Sequence, residues 1–305
     1  MHPNIVHTDD VDEIVIDRGP LQGRRRRLGA AAGAVEIGLS RYVLGPGERA
    51  MPVHVHADEE EHFHVLAGSG VSWQDGKAYP VGPGDTIVHL AQAEAHTIVA
   101  GDEGLDVLAF GTGSPTQITW LPRAQTWWMG PHWMPNDGPN PFAAEAAAGP
   151  LELPAPEVGR PRNIVALADA ERDRTDREGY REEWRRLAAS AGSIQAGLHR
   201  GRLEPDQLAC PPHWHSTEEE CFVILEGSGQ VWLGDDRFDV RPGHVLVCPP
   251  GGPAHALCAG PPGLTYLVFG TRRAGDYVYY PRSRKLNFGN GVLLRVEEVD
   301  YFDGE

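Results

Sequence analysis

The sequence predicts an all-β protein in which one domain occurs twice. Its 305 residues include 37 glycines and 26 prolines, which interrupt the chain too often for long helices and leave the short apolar runs typical of strands. A shift of 159 residues, the separation of His54 from His213, superimposes two large parts of the chain without a gap. Because a domain of ordinary size has roughly 150 residues, each copy is long enough to bury a core of its own.

The matching residues of the repeat occur along most of both copies. They include Asn4-Ile5-Val6 with Asn163-Ile164-Val165, Leu28 with Leu187, Trp73 with Trp232, Gly111-Thr112 with Gly270-Thr271, and Pro122-Arg123 with Pro281-Arg282. We therefore predict an N-terminal domain over 1–123, an ordered linker rich in Trp and Pro over 124–159, and a C-terminal domain with a closing tail over 160–305. The apolar side chains of the linker and of segment 283–305 are expected to pack against a domain, because exposed apolar surface costs ~25 cal/mol per Å².

Three kinds of turn signal separate the predicted strands. Gly68-Ser69-Gly70 lies between two runs of strand-forming residues and predicts a hairpin or a bulge. Asp75-Gly76 is a strong signal for a two-residue hairpin. Pro83-Gly84 and Pro242-Gly243 place Pro and Gly at the central positions of a type II turn. Each copy is therefore expected to be a series of short antiparallel strands.

Charge and composition exclude several classes of function. Lys and Arg number 27 against 43 Asp and Glu, for a net charge of −16, which argues against a nucleic acid or an anionic membrane as partner. The basic run Arg24 to Arg27 is interpreted as a solvated turn or strand edge rather than an anion-binding patch. The N-terminal residues do not resemble a secretory signal, no run approaches the ~18 apolar residues of a membrane span, and the four cysteines form no CxxC pair. A cytoplasmic location is expected.

Each copy carries three histidines and one glutamate at matching positions. The two imidazoles of a His-x-His sequence point to the same face of a strand, because side chains alternate with period two. The candidate ligands are His54, His56, Glu61 and His96 in the first copy and His213, His215, Glu220 and His255 in the second. Three imidazoles and one carboxylate suit a divalent transition metal (Fe, Mn, Ni, Cu or Zn) and leave positions open for water or substrate. The sequence therefore predicts two such metals per chain.

These motifs resemble those of the cupin superfamily. HVHADEEEHFHVLAGSG and HWHSTEEECFVILEGSG are similar to the first cupin motif, and VGPGDTIVHLAQAEAH and VRPGHVLVCPPGGPAH to the second. The resemblance covers nearly all of both copies and implies two tandem jelly-roll β-barrels, a bicupin, with the eight residues above as metal ligands. The chain departs from the family in Ala100 and Ala259, where Asn is common, and in Leu90-Ala91-Gln92, which lacks the usual Pro-Gly.

Other reactive side chains near the motifs receive structural interpretations. His62 and His64 follow Glu61 on the opposite face of the strand and are predicted to lie on the surface or in a dimer interface. His89 and Cys248 are predicted to be packed strand residues. Cys210 is interpreted as a buried thiol rather than a nucleophile.

The fold alone leaves the reaction open, because cupins host many activities. The leading interpretation is a metal-dependent, dioxygenase-like oxidoreductase that acts on a small organic molecule; a metal-dependent isomerase or decarboxylase and a non-catalytic metal-binding cupin are the alternatives. Bicupin oxalate decarboxylases place an Arg three residues before the first His, where this chain has Met51 and Cys210, so oxalate is disfavoured. Arg41 and Arg200 are the candidate fixed cations near the motifs. Met51, Phe63, Val65, Phe222 and Ile224 predict a mostly apolar interior, which suits an aromatic or small organic acid better than a polyanion. A homodimer is one option for the assembly.

Overall fold

The computed structural model describes residues 2–114, 117–129, 132–134, 141–289 and 291–304. In the first half the strands are β1 (Ile5–His7), β2 (Glu13–Arg18), β3 (Leu21–Arg26), β4 (Ile37–Leu44), β5 (Val55–His56), β6 (Glu61–Gln74), β7 (Lys77–Val81), β8 (Thr86–His89), β9 (His96–Thr112), β10 (Ile118–Leu121), β11 (Thr126–Met129) and β12 (His132–Met134). In the second half they are β13 (Ile164–Val165), β14 (Arg172–Arg177), β15 (Tyr180–Arg186), β16 (Ala196–Leu203), β17 (Trp214–His215), β18 (Glu220–Leu233), β19 (Asp236–Val240), β20 (His244–Cys248), β21 (His255–Thr271), β22 (Val278–Tyr280), β23 (Lys285–Asn287) and β24 (Leu293–Arg295).

Helices are short in the described part of the chain. They are α1 (Leu28–Ala31), α2 (Pro141–Ala147) and α3 (Leu187–Ser190), with a single 3-10 turn at Thr8–Asp10. None of the described helices is long and apolar enough to cross a membrane.

The strands form two tandem jelly-roll barrels, as predicted. Each barrel pairs an eight-stranded sheet with a four-stranded one, and all the strand pairs are antiparallel. The order is β13-β8-β6-β9-β4-β3-β2, with β7 on β6, in one large sheet, and β1-β20-β18-β21-β16-β15-β14, with β19 on β18, in the other. The small sheets are β12-β11-β10-β5 and β17-β22-β23-β24. The structural repeat thus continues beyond Arg123 into strands whose sequences no longer match.

The turns follow their sequence signals. Gly68 lies at a bulge inside the continuous strand β6, where φ is +79° and an added Cβ would lie 2.2 Å from the carbonyl oxygen of Gly104. Asp75 and Gly76 both have positive φ and connect β6 to β7 as a hairpin. Gly84 has φ +84°, as the second central residue of a type II turn requires.

Each barrel receives one strand from the opposite half of the chain. β1 pairs with β20, so that Ile5 lies opposite Leu246 in the second barrel's sheet. β13 pairs with β8, so that Ile164 lies opposite Ile87 in the first. The predicted linker contributes β11 and β12 to the first barrel's small sheet and also contains α2; its residues 130–131 and 135–140 lie outside the described residues.

A continuous apolar core joins the two barrels. Phe110 and Phe269, which are equivalent in the repeat, stack with their ring centroids 5.1 Å apart. Glu60 of the first barrel accepts hydrogen bonds from the Ile194 and Gln195 amides (2.8 and 2.9 Å), and it also accepts one from the Ser193 hydroxyl.

The second barrel makes the reciprocal contact. Glu219 accepts hydrogen bonds from the backbone amides of Val35, Glu36 and Ile37 at 2.7–3.0 Å. Glu219 and Glu60 are both fully buried. The barrels are therefore held in one fixed arrangement by a symmetric exchange of carboxylates, because each carboxylate supplies acceptors for amides of the other barrel's turn.

Two expectations about exposure are wrong. His62 and His64 are buried rather than on the surface: His62 lies against Phe269 at the junction of the barrels and contacts Glu60 at 3.2 Å, and His64 contacts Thr86 at 2.8 Å. The interface that His62 occupies is internal to the chain, because the second barrel covers this face of β6.

The closing segment is not covered as predicted. Its apolar side chains are about half exposed or more; they are Val292, Leu293, Leu294, Tyr301 and Phe302. The physical reason is that β24 is the outer strand of its small sheet, and no further strand follows it among the described residues.

Candidate metal centres

The first barrel brings all four predicted ligands together. The ligand atoms of His54, His56, Glu61 and His96 lie within 4.8 Å of one another. Glu61 Oε2 is 3.2 Å from His54 Nε2, 3.1 Å from His96 Nε2 and 3.9 Å from His56 Nε2. This convergence arises because β6 begins at Glu61 and β9 begins at His96, while His54 and His96 pair directly.

The second barrel repeats the arrangement with a small difference. His213, Glu220 and His255 form a cluster within 4.8 Å, and Glu220 Oε2 lies 2.8 Å from His255 Nε2 and 3.7 Å from His213 Nε2. His215 Nε2 is 3.5 Å from the same oxygen. The four side chains therefore converge on one carboxylate in this barrel too.

Backbone carbonyls orient most of the imidazoles. Nδ1 of His54 lies 2.9 Å from the carbonyl oxygen of Pro52, and Nδ1 of His213 lies 3.0 Å from that of Pro211. His96 makes the same contact with the carbonyl oxygen of Glu94, at 3.0 Å. Because a carbonyl only accepts, each Nδ1 donates its proton to it, and Nε2 is the ring nitrogen that faces the glutamate and would bind a metal once it is deprotonated.

The middle histidine is oriented differently in the two barrels. His215 Nδ1 is 2.8 Å from the Asp276 carboxylate, which also accepts from the hydroxyl of Ser216 and the amide of Thr217. The equivalent of Asp276 in the repeat is Gln117, whose amide contacts Nδ1 of His56. A charged carboxylate behind the ring makes the imidazole a stronger base than a neutral amide does.

A second difference lies behind His96. The ring of His89 stacks parallel to it at 3.7 Å, and His89 Nδ1 contacts Glu94 at 2.5 Å. In the second barrel the position of His89 is taken by Cys248, and both are buried strand residues as predicted.

The charges of each cluster are coupled. Burial lowers the pKa of His54 and of His213, but contact with Glu61 outweighs this for His54, and contacts with Cys210 and Glu220 outweigh it for His213 and raise its pKa to about 11, so these two imidazoles must release a proton before a cation binds.

Burial raises the pKa of Glu61, but hydrogen bonds with His54 and His96 outweigh this effect and lower the pKa well below its usual value. The pKa of Glu220 is likewise raised by burial but lowered, on balance, by hydrogen bonds with His213 and His255. Burial, together with the charge of neighbouring histidines, lowers the pKa of His96 to about 4. An ionised carboxylate beside neutral imidazoles is the donor set of a divalent transition metal.

Beside the first cluster lies a cavity of about 280 Å³. Arg25 lines this cavity together with Ser40 and Tyr42; its Nε donates to Ser40 Oγ at 3.0 Å, and its guanidinium lies over the Tyr42 ring. The apolar lining includes Met51, Leu121, Trp128 and Phe142.

The second cluster opens into a cavity of about 320 Å³. The exposed side chain of Arg272 lines this cavity, and so does His199. Burial lowers the pKa of His199 to about 4. Cys210 Sγ lies 3.5 Å from Nδ1 of His213, half-buried rather than fully buried. Trp184 and Tyr266 form part of the remaining wall.

The structure assigns the fixed cations differently from the sequence. Arg41 and Arg200 line a groove between the barrels instead of a metal cavity, because they lie on the outer face of their strands. Arg41 is already bound by Asp106 through two hydrogen bonds of 2.9 and 2.5 Å. Arg25, which was interpreted as part of a solvated run, is the cation inside the first cavity; strand alternation within that run was the signal that could have found it.

Comparison with known families agrees with this architecture. The profile of the Cupin domain matches residues 40–111 and again 199–268. The chain is a two-domain cupin. This confirms the resemblance noted in its motifs. The bicupin also aligns with the uncharacterized protein MJ1618 of Methanocaldococcus jannaschii at 42% identity over 41 residues, which is 13% of this chain and 33% of that protein.

Solved bicupins share the fold at low sequence identity. The structure of oxalate decarboxylase from Bacillus subtilis at pH 4.6 matches with a TM-score of 0.60 and 16% identity, covering 89% of this chain and 77% of that one. A single-residue mutant of the same enzyme matches with a TM-score of 0.59 and 18% identity, covering 89% and 78%. At such identities the similarity establishes the two-barrel fold and leaves the activity to the site.

Proposed function

We propose that this bicupin is a metal-dependent enzyme that acts on a small organic acid. One observation carries the proposal: in each barrel, a cluster of three histidines and one glutamate shares its cavity with a guanidinium, Arg25 in the first and Arg272 in the second. A cation beside a metal centre is what a carboxylate substrate needs, because it neutralises the charge that the metal does not.

The two clusters would each hold one divalent transition metal. The ligands are His54, His56, Glu61 and His96 in the first barrel and His213, His215, Glu220 and His255 in the second. When bound, the metal supplies a Lewis acid with open positions for the acid. Iron, manganese, nickel, copper and zinc all suit this donor set.

The protein's own residues would bind the acid and exclude water. Arg25 presents a planar donor group whose direction is fixed by Ser40, so that a carboxylate is bound with defined orientation. Met51, Leu121 and Phe142 add apolar surface to a wall that Glu59 and Thr119 also line. A low-polarity wall strengthens the electrostatic interactions of a bound acid, because water is excluded from them.

Decarboxylation is the first candidate reaction. The shared fold with oxalate decarboxylase supports it, while Met51 and Cys210 occupy the positions three residues before the first His of each motif. We therefore expect an acid other than oxalate, held by Arg25 or Arg272 instead. Dioxygenation is the second candidate, supported by the apolar walls, which would admit dioxygen beside the acid.

The test measures product gas and oxygen together. Protein reconstituted separately with each of the five metals is offered a panel of small mono- and dicarboxylic acids, and carbon dioxide release and oxygen uptake are recorded. Decarboxylation releases carbon dioxide without net oxygen consumption, whereas a dioxygenase consumes one oxygen per turnover. Absence of both with every acid and metal would reduce the protein to a metal-binding cupin without catalytic activity.

Variants of the guanidiniums test how the acid is held. Arg25→Gln and Arg272→Gln are expected to raise KM for the acid in their own barrel by about tenfold or more, since a charge-assisted hydrogen bond is worth about 1.5–3 kcal/mol. Arg24→Gln is the matched control, because Arg24 is the exposed neighbour of Arg25 on the same strand. An unchanged KM in both variants would contradict carboxylate binding at these residues.

A further inference from the structure

We propose that Tyr266 and Glu182 form a proton-donating pair in the second barrel, in which Tyr266 donates a proton to the reacting acid and Glu182 restores it. The inference rests on the proposed function, since it concerns the chemistry of the same cavity. Tyr266 is the catalytic residue in this scheme, and Glu182 is the positioning residue that acts through it.

The pair is buried against the metal cavity. Tyr266 on β21 lines the cavity together with Trp184 and Phe222. The Tyr266 hydroxyl lies 2.6 Å from Oε1 of Glu182 on β15, and each side chain is 1% exposed. Oε2 of Glu182 is buried and has no hydrogen-bond partner. A buried polar atom without a partner costs about 1–3 kcal/mol, so its retention calls for a role beyond packing.

A glycine makes room for the pair. A Cβ added at Gly201 would lie 2.4 Å from Glu182 Oε1 and 2.6 Å from Tyr266 Cζ. The equivalent positions in the first barrel do not reproduce this arrangement: Gly201 corresponds to Tyr42, Glu182 to Gly23 and Tyr266 to Val107. The second barrel alone therefore has the space, the phenol and the carboxyl together.

Both groups are neutral at pH 7. Burial raises the pKa of Glu182 to about 8, although its hydrogen bond with Tyr266 acts in the opposite direction. Burial, followed by the charge of Glu182, raises the pKa of Tyr266 well above its usual value. Other titratable and charged groups surround the pair. On the cavity side they are Cys210, Glu220 and His199, and along a separate groove that Glu182 also lines they are Arg174, Glu183, Arg202, Glu204 and Glu226.

The pair connects the cavity to that groove, which gives the proton a route. When the bond between carbon and the carboxylate breaks, the electron pair stays on carbon and carbon dioxide leaves. The Tyr266 O–H bond breaks and a C–H bond forms, while Glu182 transfers its own proton to the Tyr266 oxygen. The Glu182 carboxylate then takes a proton from water in the groove, so each turnover consumes one proton and releases one carbon dioxide.

The experiment compares Tyr266→Phe, Glu182→Gln and the control Glu178→Gln in the full chain, with the acid found to be turned over. Tyr266→Phe is expected to lower kcat about 100-fold or more at similar KM, as loss of a general acid does. Glu182→Gln is expected to lower kcat by less and to abolish the fall of kcat above about pH 8. Glu178→Gln, in the exposed turn between β14 and β15, should match the wild type.

A second readout does not depend on turnover. Infrared difference spectra between the wild type and Glu182→Gln should show a protonated carboxyl band at pH 6 that disappears above about pH 8. No such band, or an unchanged pH profile of kcat in Glu182→Gln, overturns this proposal and leaves the proposed function standing. Turnover that survives His255→Ala also overturns it. A protonated Glu182 in a protein that turns over no acid overturns the proposed function, and this step with it.

Discussion

The two barrels place three histidines and one glutamate, the candidate metal ligands, at equivalent positions, yet the residues around them differ. Asp276 stands behind His215 where Gln117 stands behind His56. The first barrel has Arg25 inside its cavity where the second has Trp184. The comparison teaches that the strand framework fixes the ligands, while single side chains on neighbouring strands set their basicity and the polarity of the cavity.

The residues that line the two cavities differ in origin as well. In the first barrel α2 follows the small sheet and adds Phe142 to the lining of the cavity. Glu145 of the same helix is buried and lies 2.9 Å from Arg49. No helix follows β24 within the described residues, which continue to 304. A helix outside the repeated strands therefore contributes to the first cavity, whereas the residues that line the second belong to its own barrel.

Replacing the carboxylate ligands is expected to have the largest effect, because each substitution should remove the metal from one barrel only. Glu61→Ala and Glu220→Ala are each expected to lose one of about two metal equivalents, because the metal's charge is then no longer balanced in a buried site. Elemental analysis of the purified variants measures this, with Glu178→Gln at an exposed position as control. A double variant that retains metal would contradict both clusters.

His255→Ala is expected to lower turnover more than His96→Ala, and the reverse order would assign the activity to the first barrel.

Breaking the carboxylate exchange tests how symmetric the junction is. Glu60→Ala and Glu219→Ala are each expected to lower the free energy of unfolding by about 3 kcal/mol or more, since backbone amides lose a charged acceptor. The effect of Glu60→Ala should be the larger, because Glu60 also contacts His62 and Ser193. Urea unfolding followed by fluorescence measures both, with Glu103→Ala on the surface as reference. Losses below 1 kcal/mol would show that the apolar core alone holds the junction.

The residue behind the middle histidine should set the difference in metal affinity. Asp276→Asn is expected to weaken binding in the second barrel about 10–100-fold, since a carboxylate behind a ligating imidazole raises its basicity. Gln117→Asp should strengthen binding in the first barrel. Competition with a chelator measures both affinities. Equal affinities before and after both substitutions would remove this explanation of the difference.

A further expected effect is on the pH dependence of stability. The unfolded chain releases the Glu182 proton near pH 4.5, whereas the folded protein keeps it until about pH 8. Between these values the native state binds more protons, so stability falls as pH rises, by at most about 1.4 kcal/mol per pH unit. Glu182→Gln should flatten this dependence, as melting temperatures from pH 5 to 8 would show. Parallel curves for variant and wild type would mean that Glu182 is ionised in the folded protein.

The sequence by itself determined the repeat, the barrels and the convergence of the ligands. His-x-His sets two rings on one strand face, and Gly and Pro place the turns that return Glu61 and His96 to the same end of the barrel. These relations depend on local spacing or on an exact internal shift, both of which a single sequence displays.

Only the tertiary structure decided what surrounds the ligands. Asp276 reaches His215 across 61 residues, Glu60 reaches Ile194 across 134, and Arg25 enters the cavity from a strand distant in sequence from the motifs. The same holds for His62, whose burial depends on the second barrel lying against its strand. The physical reason is that alternation along a strand gives two faces without saying which is inside, and that choice is made when the sheets pack against one another.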